Sequence, residues 1–235
     1  MTIQESKEKL KKEGYTYFNL KNFDEELYNK LIPFKCNDTK NLKKYMSSLR
    51  ADSVYEVKSN VNNKIQVRND FDSFESANEK KNEILSKSQK MAQIWFYGSF
   101  NAILESLQIN IKEYQDLLKK ITDFYFDFDE SQEYSIPIDV TYYDNDCELG
   151  NHSDGTGSGR VCAILIYLNE TYDETDGGIL VLNNNENILP IFGNVAIIDL
   201  QSFDIPHQVT KVTGGMGRYA LLSFIKTKEN EFVNY

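Results

Sequence analysis

The chain has 235 residues and a formal net charge of −10, from 26 Lys and Arg against 36 Asp and Glu. This length fits one domain with a substantial core, and the acidic balance is the wrong sign for a surface that binds nucleic-acid phosphates. The first residues, MTIQESKEKLKKEG, lack the apolar run of a signal peptide, and no stretch is long enough to cross a bilayer. Its 3 cysteines lack C-x-x-C spacing, which favours free thiols in a reducing compartment. We therefore expect a cytoplasmic protein that binds neither nucleic acid nor membrane.

Residues 1–133 are predicted to be mixed in structure and mainly helical. Apolar residues at helical spacing predict helices over residues 2–13, 24–31, about 38–50, roughly 75–107 and about 111–122. Alternating or β-branched runs predict short strands over residues 15–20, 53–57 and 64–68. We expect this half of the chain to support a sheet and to supply material for a substrate lid.

From about residue 134 the pattern changes to short β-branched or aromatic runs, separated by Asn, Asp and Gly turns. Strands are predicted over residues 134–143, 160–168, 178–182, 188–192, 195–200, 207–212 and 218–226. Many short strands without intervening helices indicate an antiparallel barrel or sandwich. We expect a β core over residues 134–228 and a C-terminal tail over 229–235, with one structural unit overall.

Both histidines of the chain lie in this β core. His152 lies in the segment NHSDG at the end of a strand-like run, and His207 begins another run. In an extended segment the side chains at i and i+2 lie on the same side, so His152 and Asp154 can face one metal ion. Two imidazoles and one carboxylate on one face of an octahedron form a mononuclear ferrous site with open positions. A neighbouring strand would have to bring His207 to this site.

The competing interpretation is that the two histidines are unrelated, because H-x-D is a short pattern and carboxylates are common. Arg218 argues against it. This residue follows His207 by eleven positions across the Gly214–Gly217 turn. A glycine-rich turn between two strands predicts a hairpin, which would bring Arg218 back beside His207 and towards the same cavity. Arginine is well suited to a bidentate grip on a carboxylate inside a barrel.

Residues 138–225 resemble the double-stranded β-helix core of the Fe(II)/2-oxoglutarate-dependent dioxygenases, particularly their prolyl-hydroxylase-like branch. The matching segments occur in the family's order: VTYYDNDCELG, NHSDG, RVCAILIYLNE, DGGILVL, NVAIIDL, PHQV and GRYALLSFI. The resemblance implies a mainly β fold with α-helices, in which N-terminal helices support a jelly-roll or cupin-like core. It also implies a catalytic core over 134–228 that uses Fe(II), 2-oxoglutarate and O2 to hydroxylate a C–H bond, with succinate and CO2 as co-products.

The resemblance assigns roles to the metal-binding residues. His152, Asp154 and His207 would be the iron ligands. Related halogenases carry Gly or Ala where Asp154 stands, so the carboxylate at this position implies hydroxylation. Desaturation and ring formation use the same three ligands and remain open.

The resemblance also assigns residues to the cosubstrate. Arg218 would bind the C5 carboxylate of 2-oxoglutarate, and Tyr167 would donate a hydrogen bond to the same group. Tyr143 matches another tyrosine on the cosubstrate side, although a slip of one residue would put Tyr142 there instead. For both assigned tyrosines the alternative is ordinary packing within a strand.

The substrate is left open between two classes. A free amino acid or another small metabolite is favoured, because the N-terminal half offers a lid and the acidic surface shows no obvious peptide groove. A prolyl residue in a peptide or protein is the alternative by resemblance, and a non-catalytic, cupin-like metal-binding scaffold is a third hypothesis. Arg68 is a candidate anchor for a substrate carboxylate, against the alternative of a solvated arginine at a strand end. The oligomeric state is not indicated.

Overall fold

The structure is a computed structural model, and it describes much of the N-terminal half and nearly all of the β core. The described residues are 1–32, 54–61, 64–71, 76, 79, 83, 92–97, 111–128 and 131–227 except 144, 146–147, 157–158, 184 and 215–216. The predicted helix over residues 38–50 lies outside them, as do Cys36 and Cys147. Cys162 has a free, buried thiol. None of the helices in the described ranges is long and apolar enough to span a membrane.

Three α-helices confirm predicted ones. They are α1 (Ile3–Glu13), α2 (Glu25–Leu31) and α3 (Ile111–Phe126), and Leu20–Asn22 and Glu174–Asp176 form short 3-10 helices. A capping box begins α1: the Thr2 hydroxyl accepts a hydrogen bond from the Glu5 N–H, and the Glu5 carboxylate accepts one from the Thr2 N–H. Gly14 ends the helix with a φ of 78°, a left-handed conformation that favours glycine.

Most of the described strands follow the predicted β runs, but the run predicted over 188–192 is found as a strand over Glu186–Ile188, and the strand Leu149–His152 lies outside the predicted runs. The described strands are β1 (Tyr15–Asn19), β2 (Val54–Val61), β3 (Lys64–Phe71), β4 (Ala92–Tyr97), β5 (Tyr134–Ser135), β6 (Asp139–Tyr143), β7 (Leu149–His152), β8 (Arg160–Tyr167), β9 (Leu180–Leu182), β10 (Glu186–Ile188), β11 (Asn194–Asp199), β12 (His207–Val209) and β13 (Arg218–Thr227). The predicted strand over 134–143 is divided into β5 and β6 around Pro137, which has no backbone N–H to donate to a neighbouring strand.

The strands form two antiparallel sheets. The major sheet has nine strands, in the order β1-β11-β8-β13-β6-β4-β2-β3 with β5 beside β13, and the minor sheet has four strands in the order β10-β9-β12-β7. This arrangement confirms the expected mainly β fold with helices and its double-stranded β-helix core. Strands β1 to β4 lie in the major sheet, so this sheet crosses the predicted boundary at residue 133. The division of the chain into a support and a core remains a prediction.

Side chains of the major sheet alternate between two apolar cores, as the pleat of a strand requires. In β8, Ile164 and Ile166 belong to an outer core, which also contains buried leucines of α1, α2 and α3. Leu165 and Tyr167 belong to an inner core, which also contains residues of the minor sheet such as Leu180. The three helices therefore cover the side of the major sheet that faces away from the minor sheet, and the inner core lies between the sheets.

The predicted helix over residues 75–107 is wrong in its apolar part. Ala92–Tyr97 is strand β4, which pairs with β2 on one side and β6 on the other. A short apolar run such as AQIWFY does not distinguish a strand from a buried helix, and here strand partners on both sides decide for the strand. In the polar part of the predicted helix, the described residues Ser76, Glu79 and Glu83 are helical.

The predicted hairpin between His207 and Arg218 is also wrong. Strand β12, which begins at His207, pairs with β7 and β9 in the minor sheet, whereas β13, which begins at Arg218, pairs with β5, β6 and β8 in the major sheet. The chain therefore crosses from one sheet to the other between these strands. Arg218 still faces the inner core, because Ala220 and Leu222 lie on the same side of β13 and line that core.

Candidate metal and cosubstrate site

The three predicted iron ligands come together at one end of the minor sheet. His152 ends β7 and is directly opposite His207, the first residue of β12, in the antiparallel pairing of these strands. Asp154 follows β7 by two residues. The Nε2 atom of His152 lies 3.7 Å from Asp154 Oδ1, and the Nε2 atom of His207 lies 3.6 Å from Asp154 Oδ2. One ligand atom from each residue lies within 4.8 Å of the other two.

These separations fit a single ion. Adjacent donors at about 2.1 Å from one octahedral ion lie about 3 Å apart, so side-chain shifts of about 1 Å or less at each donor would close the site. The two imidazole rings have centroids 4.2 Å apart and are tilted by 53°, so they converge without stacking. Two nitrogen donors and one carboxylate leave other positions of an octahedron open, as a ferrous oxygenase requires.

Backbone carbonyl groups fix the tautomer of both histidines. His152 Nδ1 lies 3.0 Å from the Gly150 carbonyl oxygen, and His207 Nδ1 lies 2.9 Å from the Ile205 carbonyl oxygen. A carbonyl oxygen only accepts hydrogen bonds, so each Nδ1 carries the proton and each Nε2 lone pair is available to a metal ion. Burial, together with the charge of His152, lowers the pKa of His207, which keeps this ligand neutral and ready to bind.

A further contact joins the two segments that carry the ligands. The hydroxyl of Ser153, which lies between two ligands, donates a hydrogen bond to the Asp204 carboxylate, three residues before His207. The N–H of Gly155 donates to the same Ser153 hydroxyl over 3.2 Å. The loop after β7 is thereby tied to the segment that leads into β12, which holds the ligands of both strands in register.

Arg218 is a buried cation beside this cluster. Its side chain is almost inaccessible, with a residue exposure of 2%. Its Nη2 atom donates to the Tyr167 hydroxyl over 3.3 Å, whereas its Nε atom has no hydrogen-bond partner among the described residues. No described carboxylate lies within ion-pair distance of it. The charge of Arg218 contributes to lowering the pKa of His207.

Two tyrosines flank this guanidinium group. The Arg218 Cζ atom lies 4.9 Å from the ring centroid of Tyr143 and 5.0 Å from that of Tyr167. Tyr143 is directly opposite Arg218 in the β6–β13 pairing, so the register selects Tyr143 for the inner core. The side chain of Tyr142, the alternative from the sequence, lies outside the described residues. Burial raises the pKa of Tyr167, which therefore stays a neutral hydroxyl that can donate to an anion.

These observations test whether the site fits 2-oxoglutarate. A buried guanidinium group with an orphaned donor needs an anionic partner, since an unpaired buried charge is costly. The C5 carboxylate of 2-oxoglutarate would meet this need, and the metal ligands on the facing sheet would receive its other end. The residues present therefore fit both the metal ion and the cosubstrate.

Two residues that the sequence did not single out have a place here: Gly178 beside Arg218, and Arg160, which is close in sequence to the metal ligands. Gly178 has a φ of 70°, and a Cβ atom added there would lie 3.1 Å from the Arg218 Cβ, so glycine makes room for the arginine. Arg160 begins β8 six positions after Asp154; its guanidinium lies 4.1 Å from the Phe224 ring centroid, and its buried Nε has no partner among the described atoms. The rarity of arginine in this chain, with four in all, was a signal that could have singled out Arg160.

The structure does not bring Arg68 to this cluster. Arg68 lies in β3, at the edge of the major sheet, and β2 and β4 separate it from β6. Three strand spacings correspond to about 14 Å along the sheet, which is further than an arginine side chain extends. The side chain of Arg68 lies outside what the structure describes, so its role as a substrate anchor stays a prediction.

A jelly-roll core with a 2-His-1-carboxylate cluster and a buried arginine defines the class of non-haem iron oxygenases that use a 2-oxo acid. Residues 138–226 match the family model of the 2OG-Fe(II) oxygenase superfamily. This segment is thus a 2OG-Fe(II) oxygenase domain, and the family of that model uses Fe(II) as its cofactor and 2-oxoglutarate and O2 as its cosubstrates.

Solved structures support the same fold. The chain is similar to a prolyl hydroxylase from Trichoplax adhaerens, in complex with a peptide of the hypoxia inducible factor oxygen degradation domain: identity is 14%, the TM-score is 0.62, and 98% of this chain and 91% of that chain are covered. It is also similar to a Pseudomonas putida prolyl-4-hydroxylase, at 13% identity and a TM-score of 0.57 over 95% of this chain and 98% of that chain. A Bacillus thuringiensis structure named IDO has 16% identity and a TM-score of 0.50, with 97% and 96% covered. The search of curated protein sequences found no match.

Proposed function

We propose that the chain hydroxylates a C–H bond, with His152, Asp154 and His207 as its iron ligands and Arg218 as the anchor of 2-oxoglutarate. The observation that carries this assignment is the buried, incompletely paired guanidinium of Arg218 beside three converging metal ligands. A metal-binding scaffold without turnover needs the ligands but has no use for a buried cation in the same cavity.

The residues divide the work between binding and orientation. Bound iron, 2-oxoglutarate and O2 together supply the oxidising chemistry. His152 and His207 present their Nε2 lone pairs, Asp154 adds a negative charge, and Arg218 with Tyr167 fixes the far end of the cosubstrate. The apolar inner core around these groups excludes water, which strengthens every charge interaction inside it. The protein also has to hold the substrate C–H bond close to the metal.

For the substrate we propose a prolyl residue in a peptide or protein. The described helices α1, α2 and α3 pack on the outer side of the major sheet, so they do not form the lid on which the expectation of a small metabolite rested. The similarity to two prolyl hydroxylases, one of them in complex with a peptide, agrees with a peptide substrate. A free amino acid or another small metabolite remains the competing substrate class.

Arg160 is a candidate contact for such a substrate. A loop of five residues separates Asp154 from Arg160, so β8 begins close in sequence to the metal ligands. Its stacking on Phe224 holds the planar guanidinium in place, and its unpartnered Nε is a buried donor that a peptide carbonyl group could satisfy. Arg160→Gln should weaken substrate binding while the affinity for 2-oxoglutarate stays unchanged.

Two measurements test the proposed function. Under anaerobic conditions, adding 2-oxoglutarate to the iron-loaded protein should produce the weak visible absorption band of the metal chelate, and a non-catalytic scaffold should not produce it. Succinate formation should then be compared among proline-containing peptides, the same peptides with alanine at the proline position, and free amino acids. Succinate that depends on the proline supports the proposal. Succinate with free amino acids alone would overturn the peptide assignment, and no succinate and no band would overturn the function.

A further inference from the structure

The chain enters β13 from a glycine-rich segment. The segment Gly214–Gly217 contains three glycines, and Gly217 has a φ of 73°. Glycine has more backbone freedom than any other residue, so the position of the first residue of β13 depends on its contacts with neighbouring strands. That residue is Arg218, whose guanidinium has to lie between two tyrosine rings.

Regular pairing with β8 stops before it reaches Arg218. The last paired residues are Tyr167 in β8 and Ala220 in β13. Beyond them, the Leu168 N–H still donates to the Tyr219 carbonyl oxygen over 3.1 Å. On this side of β13, the peptide groups around Arg218 therefore need another source of hydrogen bonds.

The side chain of Asn169 supplies hydrogen bonds to the peptide groups on both sides of Arg218. Its Nδ2 atom donates to the Gly217 carbonyl oxygen over 2.7 Å, and its Oδ1 atom accepts from the Tyr219 N–H over 2.9 Å. The amide group thus continues the ladder of the sheet by holding the residues immediately before and after Arg218. A donor and an acceptor are needed at once, which asparagine provides and aspartate does not.

Asn169 is itself rigidly held. It is buried, with 1% exposure. Its carbonyl oxygen accepts from the Phe192 N–H over 2.6 Å, and it forms an isolated parallel bridge with Ile191. Because this amide is fixed by its own contacts, its hydrogen bonds hold Gly217 and Tyr219 of the neighbouring segment in a defined position.

We propose that Asn169 is a positioning residue for 2-oxoglutarate, acting through Arg218. This inference rests on the proposed function, because it needs Arg218 to bind the cosubstrate. Removing the amide would take these hydrogen bonds from Gly217 and Tyr219, so that strand pairing would hold β13 at Arg218 from the β6 side alone. The guanidinium would then be less closely fixed against Tyr143 and Tyr167. Metal binding would be untouched, because the ligands lie on the minor sheet and the loop that follows β7.

The test compares Asn169→Ala and Asn169→Asp with the wild type. Calorimetric titration of the anaerobic iron-loaded protein should show 2-oxoglutarate bound on the order of tenfold more weakly by Asn169→Ala, the scale of two lost hydrogen bonds. Asn169→Asp should also bind it more weakly than the wild type, because aspartate keeps the acceptor for the Tyr219 N–H but places a second acceptor against the Gly217 carbonyl oxygen. Iron affinity, measured separately, should stay within about twofold of the wild type, because Asn169 makes no contact with the metal ligands and its replacement leaves them in place. If the alanine variant does not fold, the aspartate variant of the same shape decides the matter.

A matched control is Asn194→Ala. Asn194 also makes two side-chain hydrogen bonds: it donates to the Leu189 carbonyl oxygen over 3.2 Å and accepts from Asn19 over 3.3 Å. It lies at the start of β11 and does not touch the peptide groups around Arg218. Its loss should lower the unfolding temperature without changing 2-oxoglutarate affinity, which separates a positioning role from a general loss of stability.

A double-mutant cycle tests the route through Arg218. In an Arg218→Ala background, Asn169→Ala should cause no further loss of 2-oxoglutarate affinity. An equal loss in both backgrounds, or an Asn169→Ala variant with wild-type affinity, would overturn the inference. If the wild type itself does not bind 2-oxoglutarate, the proposed function fails instead, so the two failures are distinguishable.

Discussion

Replacing Arg218 should weaken 2-oxoglutarate binding strongly and leave iron binding almost unchanged. The side chain is 2% exposed, so its pairing with the C5 carboxylate would be desolvated. Truncating one partner of a buried charge pair costs about 2–5 kcal/mol, which corresponds to a loss of affinity on the order of thirtyfold or more. Arg218→Met suits this experiment, because an unbranched apolar side chain can fill the space between the rings of Tyr143 and Tyr167.

Two assays measure the loss of 2-oxoglutarate affinity independently. Calorimetry of the anaerobic iron-loaded proteins gives the affinities directly. Thermal unfolding gives the stabilisation by ligand: at a 2-oxoglutarate concentration of about 100 times the wild-type Kd, the wild type should gain about 2.7 kcal/mol, and a variant that binds about thirtyfold more weakly should gain only about 0.9 kcal/mol. Arg218→Lys should recover part of the difference, because an ammonium group keeps the charge but cannot reproduce the bidentate fork.

The result that would refute this reasoning is an equal affinity for wild type and Arg218→Met. Arg218 would then be a strand residue without a ligand, for which an affinity change below about 0.5 kcal/mol is expected. In that case the cosubstrate is bound elsewhere or is not 2-oxoglutarate. A parallel loss of iron affinity would also contradict the account, because it would mean that the substitution had disturbed the metal ligands on the facing sheet.

Substitutions at the metal ligands and at two glycines also have defined outcomes. His152→Ala and His207→Ala should each abolish iron binding and 2-oxoglutarate turnover, measured by metal analysis and succinate assay, because the chain has 2 His and no spare imidazole; near-normal turnover in either would exclude the proposed ligand set. Asp154→Gly should keep the circular dichroism spectrum and weak iron binding but lose hydroxylated product, and retained hydroxylation would show that this carboxylate is not required. Gly177→Ala should unfold the protein or lower its unfolding temperature severely, because the added Cβ would lie 1.8 Å from a backbone carbonyl oxygen. Gly155 has open space around it, so Gly155→Ala should lower the free energy of unfolding by only about 1 kcal/mol, for its φ of 76°. Equal effects of the two substitutions would contradict this packing argument.

The metal site was predictable because its chemistry narrows the choice of residues. The chain offers two histidines, so both had to be ligands if a histidine-based site existed. The spacing of His152 and Asp154 fixed the side on which they face, and the strand pairing places His207 directly opposite His152. A local pattern and a rare residue type were enough here, without knowledge of the topology.

The connection to Arg218 was predicted for the wrong reason. The glycine-rich turn predicted a hairpin of β12 and β13, whereas these strands lie in different sheets that face each other. A glycine-rich turn indicates a change of direction but does not say which strands pair afterwards. Proximity of Arg218 to the metal ligands therefore arises from sheets packed face to face, a long-range property that spacing along the chain does not contain.

Long-range contacts also explain why the sequence did not predict that β4 is a strand or that Asn169 contacts β13. A six-residue apolar run fits a helix or a strand equally, and only its partners β2 and β6 on both sides identify Ala92–Tyr97 as a strand. Asn169 follows a strand, where asparagine is common in turns. Its role depends on the Gly217 carbonyl group and the Tyr219 N–H, which lie 48 and 50 positions further along the chain.

The most direct test of the account is a crystal structure of the protein grown anaerobically with Mn²⁺ and 2-oxoglutarate. We expect one ion within about 2.0–2.3 Å of His152 Nε2, His207 Nε2 and an Asp154 carboxylate oxygen. We also expect the C5 carboxylate within about 3 Å of the Arg218 guanidinium and the Tyr167 hydroxyl. An ion bound elsewhere, or a 2-oxoglutarate whose C5 carboxylate does not contact Arg218, would contradict it.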